Sequence, residues 1–470
     1  NWKDGVHALF TLFRLRFSFA RGWGIPVLLF FAMLSVYMST WHAGFGGYEG
    51  ETVDAAYALF DGKYEIKRAG IMAALLYTPF ILLLRIFSIE SRTLLSIVPL
   101  LFSAGTIVLL YQTLFLLTKQ RKASLGVAIL TGVGSLVWPY TNIGMEYQAM
   151  FFLMFLLYTL VRWKVGRVGM LAVGVVFAAL ILAKSYGIIF GLPMVLFVLF
   201  SVRYKKDIID FFLWVRLLGP GAAAVAIMLF LNSFFHGSMS GVYSLSHELQ
   251  VWSWWEGFYG VFFSYGKGIL FFCPLLVLSV LYAKKCFNEY RATTIFILTS
   301  LILMLLLTAP FSYWTDETWG VRKLVPIIPL LHIPLVFLFE KKNFFKSVCV
   351  SIIIVAAIYV QVLGVSYNYG KQLEILRKAN VDTLQHMRFT PQFSHLAIHN
   401  LLLSSYLHKE PAVLYYTEKT WFRFTIGEPD VVVENIALDI TSMNQPDIIW
   451  VRVYRYLNPF LLFAIVGGVM

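Results

Sequence analysis

The sequence is short of charge. Only 13% of its 470 residues are Asp, Glu, Lys or Arg, while 59% are hydrophobic. A soluble globular chain carries about 25% charged and about 45–50% apolar residues. The shortage excludes a water-soluble enzyme of this size and a disordered chain. Cysteine is nearly missing as well. Cys273, Cys286 and Cys349 lie in or beside apolar blocks, and no pair has metal-ligand spacing, so neither a disulfide framework nor a zinc site is implied. The net charge is +13, yet there is no continuous basic face, which argues against nucleic acid as a partner.

What the sequence has instead is long apolar runs, such as 24–41, 94–117, 295–309 and 348–365. Runs of about 20 apolar residues match a hydrocarbon layer about 30 Å thick. The basic residues collect between the runs: Lys119/Arg121/Lys122, Arg162/Lys164/Arg167, Arg203/Lys205/Lys206, Lys284/Lys285/Arg291 and Lys341/Lys342/Lys346. Such clusters mark cytoplasmic loops. Putting all five on one side predicts spans near 25–41, 93–117, 123–139, 147–162, 169–183, 186–202, 210–233, 268–283, 293–309, 323–339 and 347–366. The same choice lays the apolar stretch 69–87, with Pro79 and Arg85, along the outer face. Inside the membrane that arginine would be costly. Lys63, Lys67 and Arg68 are exceptions to the pattern, in the first outer loop.

The ends read differently. Residues 1–24 mix Lys3, Arg14, Arg16 and Arg21 with Phe and Leu, the composition of a cytoplasmic interfacial helix. Because the chain begins at Asn1, it reads as a piece of a longer product. Residues 367–456 are polar, with β-like runs at 413–416, 431–433 and 448–454, and read as a small outer α+β domain. Residues 457–470 are apolar and read as the start of a last span. The fold class expected is an all-α polytopic membrane protein with 11–12 transmembrane helices.

Isolated ionic residues near a membrane need a reason, because they are costly there. The first outer loop carries Glu49, Glu51 and Asp54 after Gly46-Gly47 and before a helical pattern at 55–60. Those acids suit either a site at the bilayer surface or a helix start favoured by the macrodipole. Glu146, Lys184, Lys267 and the pair Arg322–Lys323 also fall on the predicted outer side. Together they are suited to grip an anionic group presented from lipid, a phosphate above all, through charge-assisted bonds. Snorkelling of Lys323 and a structural ion pair at Glu146 are the plainer alternatives. His236 and His247 share a loop with Trp252, Trp254 and Trp255, an aromatic density expected of an interfacial belt. His386, His395, His399 and His408 lie in the outer domain.

Several segments together resemble the GT-C membrane glycosyltransferases that use polyprenyl-phosphate sugars, a superfamily that includes lipid A aminoarabinose transferases and protein O-mannosyltransferases. Tyr48-Glu49-Gly50, followed by 55–60 and Asp61-Gly62, is similar to the family's Asp-Glu-x-x-Tyr loop and the helix after it. The stretch 69–86 looks like its membrane-parallel helix. Lys184-Ser185 with Gly187 is similar to its Thr-Lys-Gly segment, and 264–270 with Pro274 to its Gly-Arg-Gly-Leu…Pro segment. Trp319–Pro326, ending at Pro329, is similar to Gly-Pro-Arg-Tyr-Leu-Leu-Pro…Pro. The resemblance covers most of 40–340.

The resemblance implies an inverting transferase at the outer face of the cell (inner) membrane. Its general base would be Glu49 or Glu51. The donor phosphate would be held by Lys184, Arg322 and Lys267, and Glu146 would orient the acceptor or hold a divalent cation. The family's usual aspartate is absent where Gly47 or Tyr48 falls, so either the base has become a glutamate or the register slips by two residues. The acceptor is a lipid, a glycan or a protein. A lipid-linked glycan transporter or flippase, a catalytically silent scaffold and an O-antigen-ligase-like enzyme are the alternatives.

Overall fold

The computed structural model describes residues 24–42, 47–61, 71–89, 92–201, 210–236, 254–310, 316–340, 344–379, 391–416 and 436–448. The expected interfacial helix at 1–24 (but for Gly24), the loop histidines His236 (its side chain) and His247, the strand runs 431–433 and 448–454 (all but Ile448), and the last apolar segment 457–470 lie outside the described residues.

The helices, in chain order, are α1 (Gly24–Ser39), α2 (Gly47–Phe60), α3 (Ile71–Ile86), α4 (Val98–Thr118), α5 (Arg121–Gly134), α6 (Val137–Ile143), α7 (Tyr147–Lys164), α8 (Met170–Ala183), α9 (Gly191–Ser201), α10 (Phe211–His236), α11 (Trp254–Phe263), α12 (Ile269–Phe272), α13 (Leu275–Glu289), α14 (Arg291–Thr308), α15 (Ile328–Leu331), α16 (Phe344–Ser366), α17 (Gly370–Lys378) and α18 (His395–His408). Short 3-10 turns lead into α4 (Arg92–Ile97), α9 (Ser185–Phe190) and α15 (Arg322–Ile327), and another, Ile333–Phe339, follows α15. Among the described residues, four helices are long and apolar enough to cross a membrane, or six if each of two bent pairs counts as one span. Four further apolar helices are shorter. The architecture is all-α and polytopic.

The breaks have local causes. The stretch 322–339 bends by 42°. Pro326, Pro329 and Pro334 each remove an amide donor there, and the chain answers with tighter 3-10 geometry. The bend of 47° between α5 and α6 falls at Ser135-Leu136. There the Ser135 hydroxyl donates back to the Thr131 carbonyl at 2.6 Å, a bond that competes with the helix ladder. The span expected at 268–283 is interrupted at Cys273-Pro274, and α13 then runs on to Glu289, through Lys284 and Lys285. Polar heads at that end reach the membrane surface, so the helix has no need to stop at the first lysine.

Most of the bundle shares one apolar core. Its outer surface is also apolar: Phe31, Phe212, Phe230, Leu281 and Val355 are all at least 60% exposed. Only 17% of the apolar window in α10 is buried. An apolar exterior of this kind suits lipid. Between such helices, close backbone approach is the main source of cohesion. Gly174 of α8 supplies one such approach, since a Cβ there would lie 2.8 Å from the Leu217 carbonyl oxygen of α10 and closer still to that of Arg216.

The chain reverses direction at two ends. At one end Lys285 bonds Glu340, Arg291 lies 5.3 Å from the centre of the Phe200 ring, and a Cβ on Gly126 would strike the Phe339 ring. Among the described residues, the predicted basic clusters lie at or next to these reversals. At the opposite end the Trp138 indole donates to Thr40 Oγ1 at 2.9 Å, Asn142 donates to the Thr40 carbonyl at 2.8 Å, and the Tyr140 hydroxyl donates to the Trp319 carbonyl at 3.0 Å. Helices α2 and α3 pack together at this end, with Val53, Ala56, Ala74, Tyr77 and Ile81 against Leu95, Val98 and Tyr147.

The C-terminal region sits at the same end as α2. Its own small core includes Tyr367, Ile375, Leu376, Phe393 and Leu402. Strand β1 (Val413–Tyr416), expected from the sequence, pairs antiparallel with β2 (Ile436–Asp439), which the sequence reading did not single out. The unit docks on the bundle through His399, whose ring stacks 5.1 Å from that of Trp319.

Candidate functional site: a row of alternating charges

The site lies at the end that carries α2 and the C-terminal unit, and it is built from the ends of apolar helices. Glu146 occupies the turn between α6 and α7. Its φ of 62° is left-handed, and Gly144 just before it has φ 71°. That conformation costs a non-glycine residue roughly 1–2 kcal/mol, and it turns the carboxylate into the protein, where Glu146 is 3% exposed.

Two loops meet Glu146 there. From the start of 322–327, Arg322 Nε and Lys323 Nζ come within 3.6 and 3.5 Å of its Oε1. From 185–190, the Tyr186 hydroxyl donates to Oε2, and its ring lies 5.5 Å from the Lys323 ammonium. Lys184, just before that turn, is half-buried and close enough to act on the same charge. Burial by itself disfavours the Glu146 carboxylate, but Lys323, Lys184, Arg322 and the Tyr186 hydroxyl outweigh it and hold the group down to about 2. Glu146 is therefore a fixed anion.

Asp316 extends the row on the far side of Arg322. Its Oδ2 makes an ionic contact of 2.8 Å with Arg322 Nε, out of hydrogen-bond alignment. Its Oδ1 accepts from Thr318 Oγ1 at 2.6 Å and lies 3.9 Å from Lys267 Nζ. The Lys267 ammonium, with 0% exposure, donates to the Thr318 carbonyl. The order is thus Lys267, Asp316, Arg322, Glu146, Lys323, alternating in sign. Counting Lys184, the six groups carry two more positive charges than negative ones. Among the described residues, Lys184 is the member with no ion pair at contact distance.

Four of the predicted residues, Glu146, Lys184, Lys267 and Arg322, therefore gather at one place. Lys267 takes part from behind the row rather than at its surface. Glu51 of α2 is not in it. Glu51 is exposed, and the side chain of Glu49 lies outside the described residues. Thr52, Val53 and Ala56 form the inward face of α2, while Glu51 and Asp54 face out. Glu49 stands one turn ahead of Thr52 and Val53 in that helix. Beneath α2, the Tyr147 hydroxyl donates to the Tyr77 hydroxyl at 2.9 Å and accepts from Gln148 Nε2 at 2.9 Å.

Sequence reasoning missed Asp316 and Tyr186. Asp316 had a signal, since Asp316-Glu317 directly precedes the Trp319–Pro326 segment. Tyr186 had none beyond its place next to Lys184. Among the described residues, no three His, Cys, Asp or Glu side chains gather to ligate a metal, and Glu146 and Asp316 both lie against cations. No protein-family model and no curated protein matches this chain. What the arrangement offers chemically is a positively charged, partly desolvated place for an anion at the end of a membrane bundle.

Proposed function

We propose that the chain is an inverting glycosyltransferase of the GT-C kind, which moves a sugar from a polyprenyl-phosphate donor to an acceptor hydroxyl on the outer face of the cell membrane. The observation that carries this reading is the excess of positive charge where Lys184, Arg322 and Lys323 converge around Glu146 at one end of an apolar bundle. A lipid-borne phosphate is the anion whose tail and head suit both surroundings.

In this reading the acceptor oxygen attacks the anomeric carbon on the face opposite the phosphate. Its proton passes to a glutamate of α2 as the carbon–oxygen bond to phosphate breaks, and the electron pair leaves with the phosphate. The sugar passes through an oxocarbenium-like state, as in glycoside chemistry generally. Lys184 and Arg322 stabilise the charge that develops on the leaving phosphate. Glu49 is the better candidate for the base, because Glu51 belongs to the outward side of α2. Glu146, already committed to cations, sets their positions rather than holding a metal.

The test is transfer of radiolabel from a panel of polyprenyl-phosphate sugars by purified protein, comparing wild type with Glu49→Gln and Glu51→Gln. Abolished transfer in Glu49→Gln, with Glu51→Gln active, is the expected result. Equal transfer by all three proteins removes the catalytic assignment.

A further inference from the structure

Lys267 lies buried behind the cations that face the proposed ligand, Asp316 stands between it and Arg322, and their geometry is specific. Lys267 has no exposed surface, and its ammonium is turned to the Thr318 carbonyl and to Asp316. Thr318 returns a hydroxyl bond to Asp316 Oδ1 at 2.6 Å. The Tyr140 hydroxyl, 3.1 Å from Thr318 Oγ1, holds the next carbonyl, that of Trp319. Contacts from Lys267 and Thr318 therefore converge on Asp316 and the backbone beside it, and Asp316 in turn meets Arg322 at Nε. The guanidinium thus lies between two carboxylates, Asp316 at 2.8 Å and Glu146 at 3.6 Å from Nε, while its Nη1 donates to Met145 Sδ at 3.3 Å. A buried lysine is costly unless it is hydrogen-bonded and paired, as Lys267 is by the Thr318 carbonyl and Asp316.

We propose that Asp316, backed by Lys267, is a positioning residue for the transfer reaction. It holds the Arg322 guanidinium in the orientation that meets the donor phosphate, so that no reorganisation is needed as the phosphate leaves. This rests on the reading of the site as a phosphate site. It differs from the plain alternative, in which Asp316 merely offsets positive charge, because the two predict opposite signs. Removing a carboxylate from an anion site by charge alone tightens anion binding. Removing the group that aims Arg322 weakens it.

The experiment uses the full chain in nanodiscs and a polyprenyl monophosphate without sugar as the probe. Asp316→Asn is expected to bind it about tenfold more weakly than wild type, the scale of one charge-assisted hydrogen bond, although the site has gained positive charge. Tighter or unchanged binding overturns the inference. The double variant Lys267→Met with Asp316→Asn removes one charge of each sign. It is expected to melt near the wild-type temperature while still binding weakly. Wild-type affinity in that double variant makes the pair structural only and overturns the inference, as does failure of both variants to fold. If wild type itself does not bind the monophosphate, the phosphate reading falls and this inference falls with it.

Discussion

At the scale of single residues, the site is a set of charges that only make sense together. Glu146→Gln leaves Lys323 and Arg322 facing each other without their shared anion. Breaking a buried ionic arrangement on one side costs about 3–5 kcal/mol, so a fall in melting temperature by scanning calorimetry is expected, larger than that of Glu51→Gln. Lys184→Ala should behave in the opposite way. It leaves the fold intact and lowers affinity for a polyprenyl monophosphate about tenfold, which titration in nanodiscs would read. The histidines under the C-terminal unit supply a pH dependence. Burial pushes His399 from the usual 6.5 down to about 4 and pushes His395 down as well. Groups lowered in this way stabilise the folded state above pH 6.5, and that contribution is lost as the pH falls toward 4. Glu146, ordinarily near 4.5 and held at about 2, begins to lose its contribution only below 4.5, at the foot of that window. Melting temperature should therefore decline between pH 6.5 and 4 in wild type, and decline less in the His395→Gln/His399→Gln double variant.

At the scale of elements, the bundle is cut where its sequence removes or diverts backbone hydrogen bonds. The break in 322–339 could be anticipated from the prolines at 326, 329 and 334, although 323–339 was expected as one span. The interruption of α5 at Ser135 could not, because it depends on which partner the serine hydroxyl chooses. Helix α2 starts at Gly47, earlier than the pattern at 55–60 suggested, since its first turns carry glycine and charge rather than apolar periodicity. Tight contact between α8 and α10 rests on Gly174. Replacing it with alanine pushes against backbone carbonyls that cannot rotate away, and a loss of about 1–3 kcal/mol is expected, measurable as a lower thermal midpoint in detergent. Strand β1 was legible from its Val-Leu-Tyr-Tyr run. Its partner was not, because pairing is decided by what lies opposite.

At the scale of the whole molecule, the alternation of ends follows from charge distribution. Lys164 and Lys284 flank turns at the end opposite the site, and Glu51 lies at the site end. In a Cys349→Ser background, Glu51→Cys should react with a membrane-impermeant thiol reagent on intact cells, and Lys164→Cys only after permeabilisation. Cys273 and Cys286 are buried and should contribute no background. The reverse pattern of labelling would place the site in the cytosol and end the glycosyltransferase proposal.

Composition and the spacing of apolar runs determined that this is a polytopic helical protein, and the clustering of Lys and Arg determined which turns share an end. Both are properties of local chain segments in contact with lipid or water, so they can be read one window at a time. Motif spacing further marked Glu146, Lys184, Lys267 and Arg322 as residues needing an explanation. Only the tertiary structure decided that Lys267 is wholly buried, that Asp316 stands between it and Arg322, and that Arg322 and Lys323 share Glu146 as their anion. Burial and charge pairing depend on neighbours brought from distant parts of the chain, and no single window contains them.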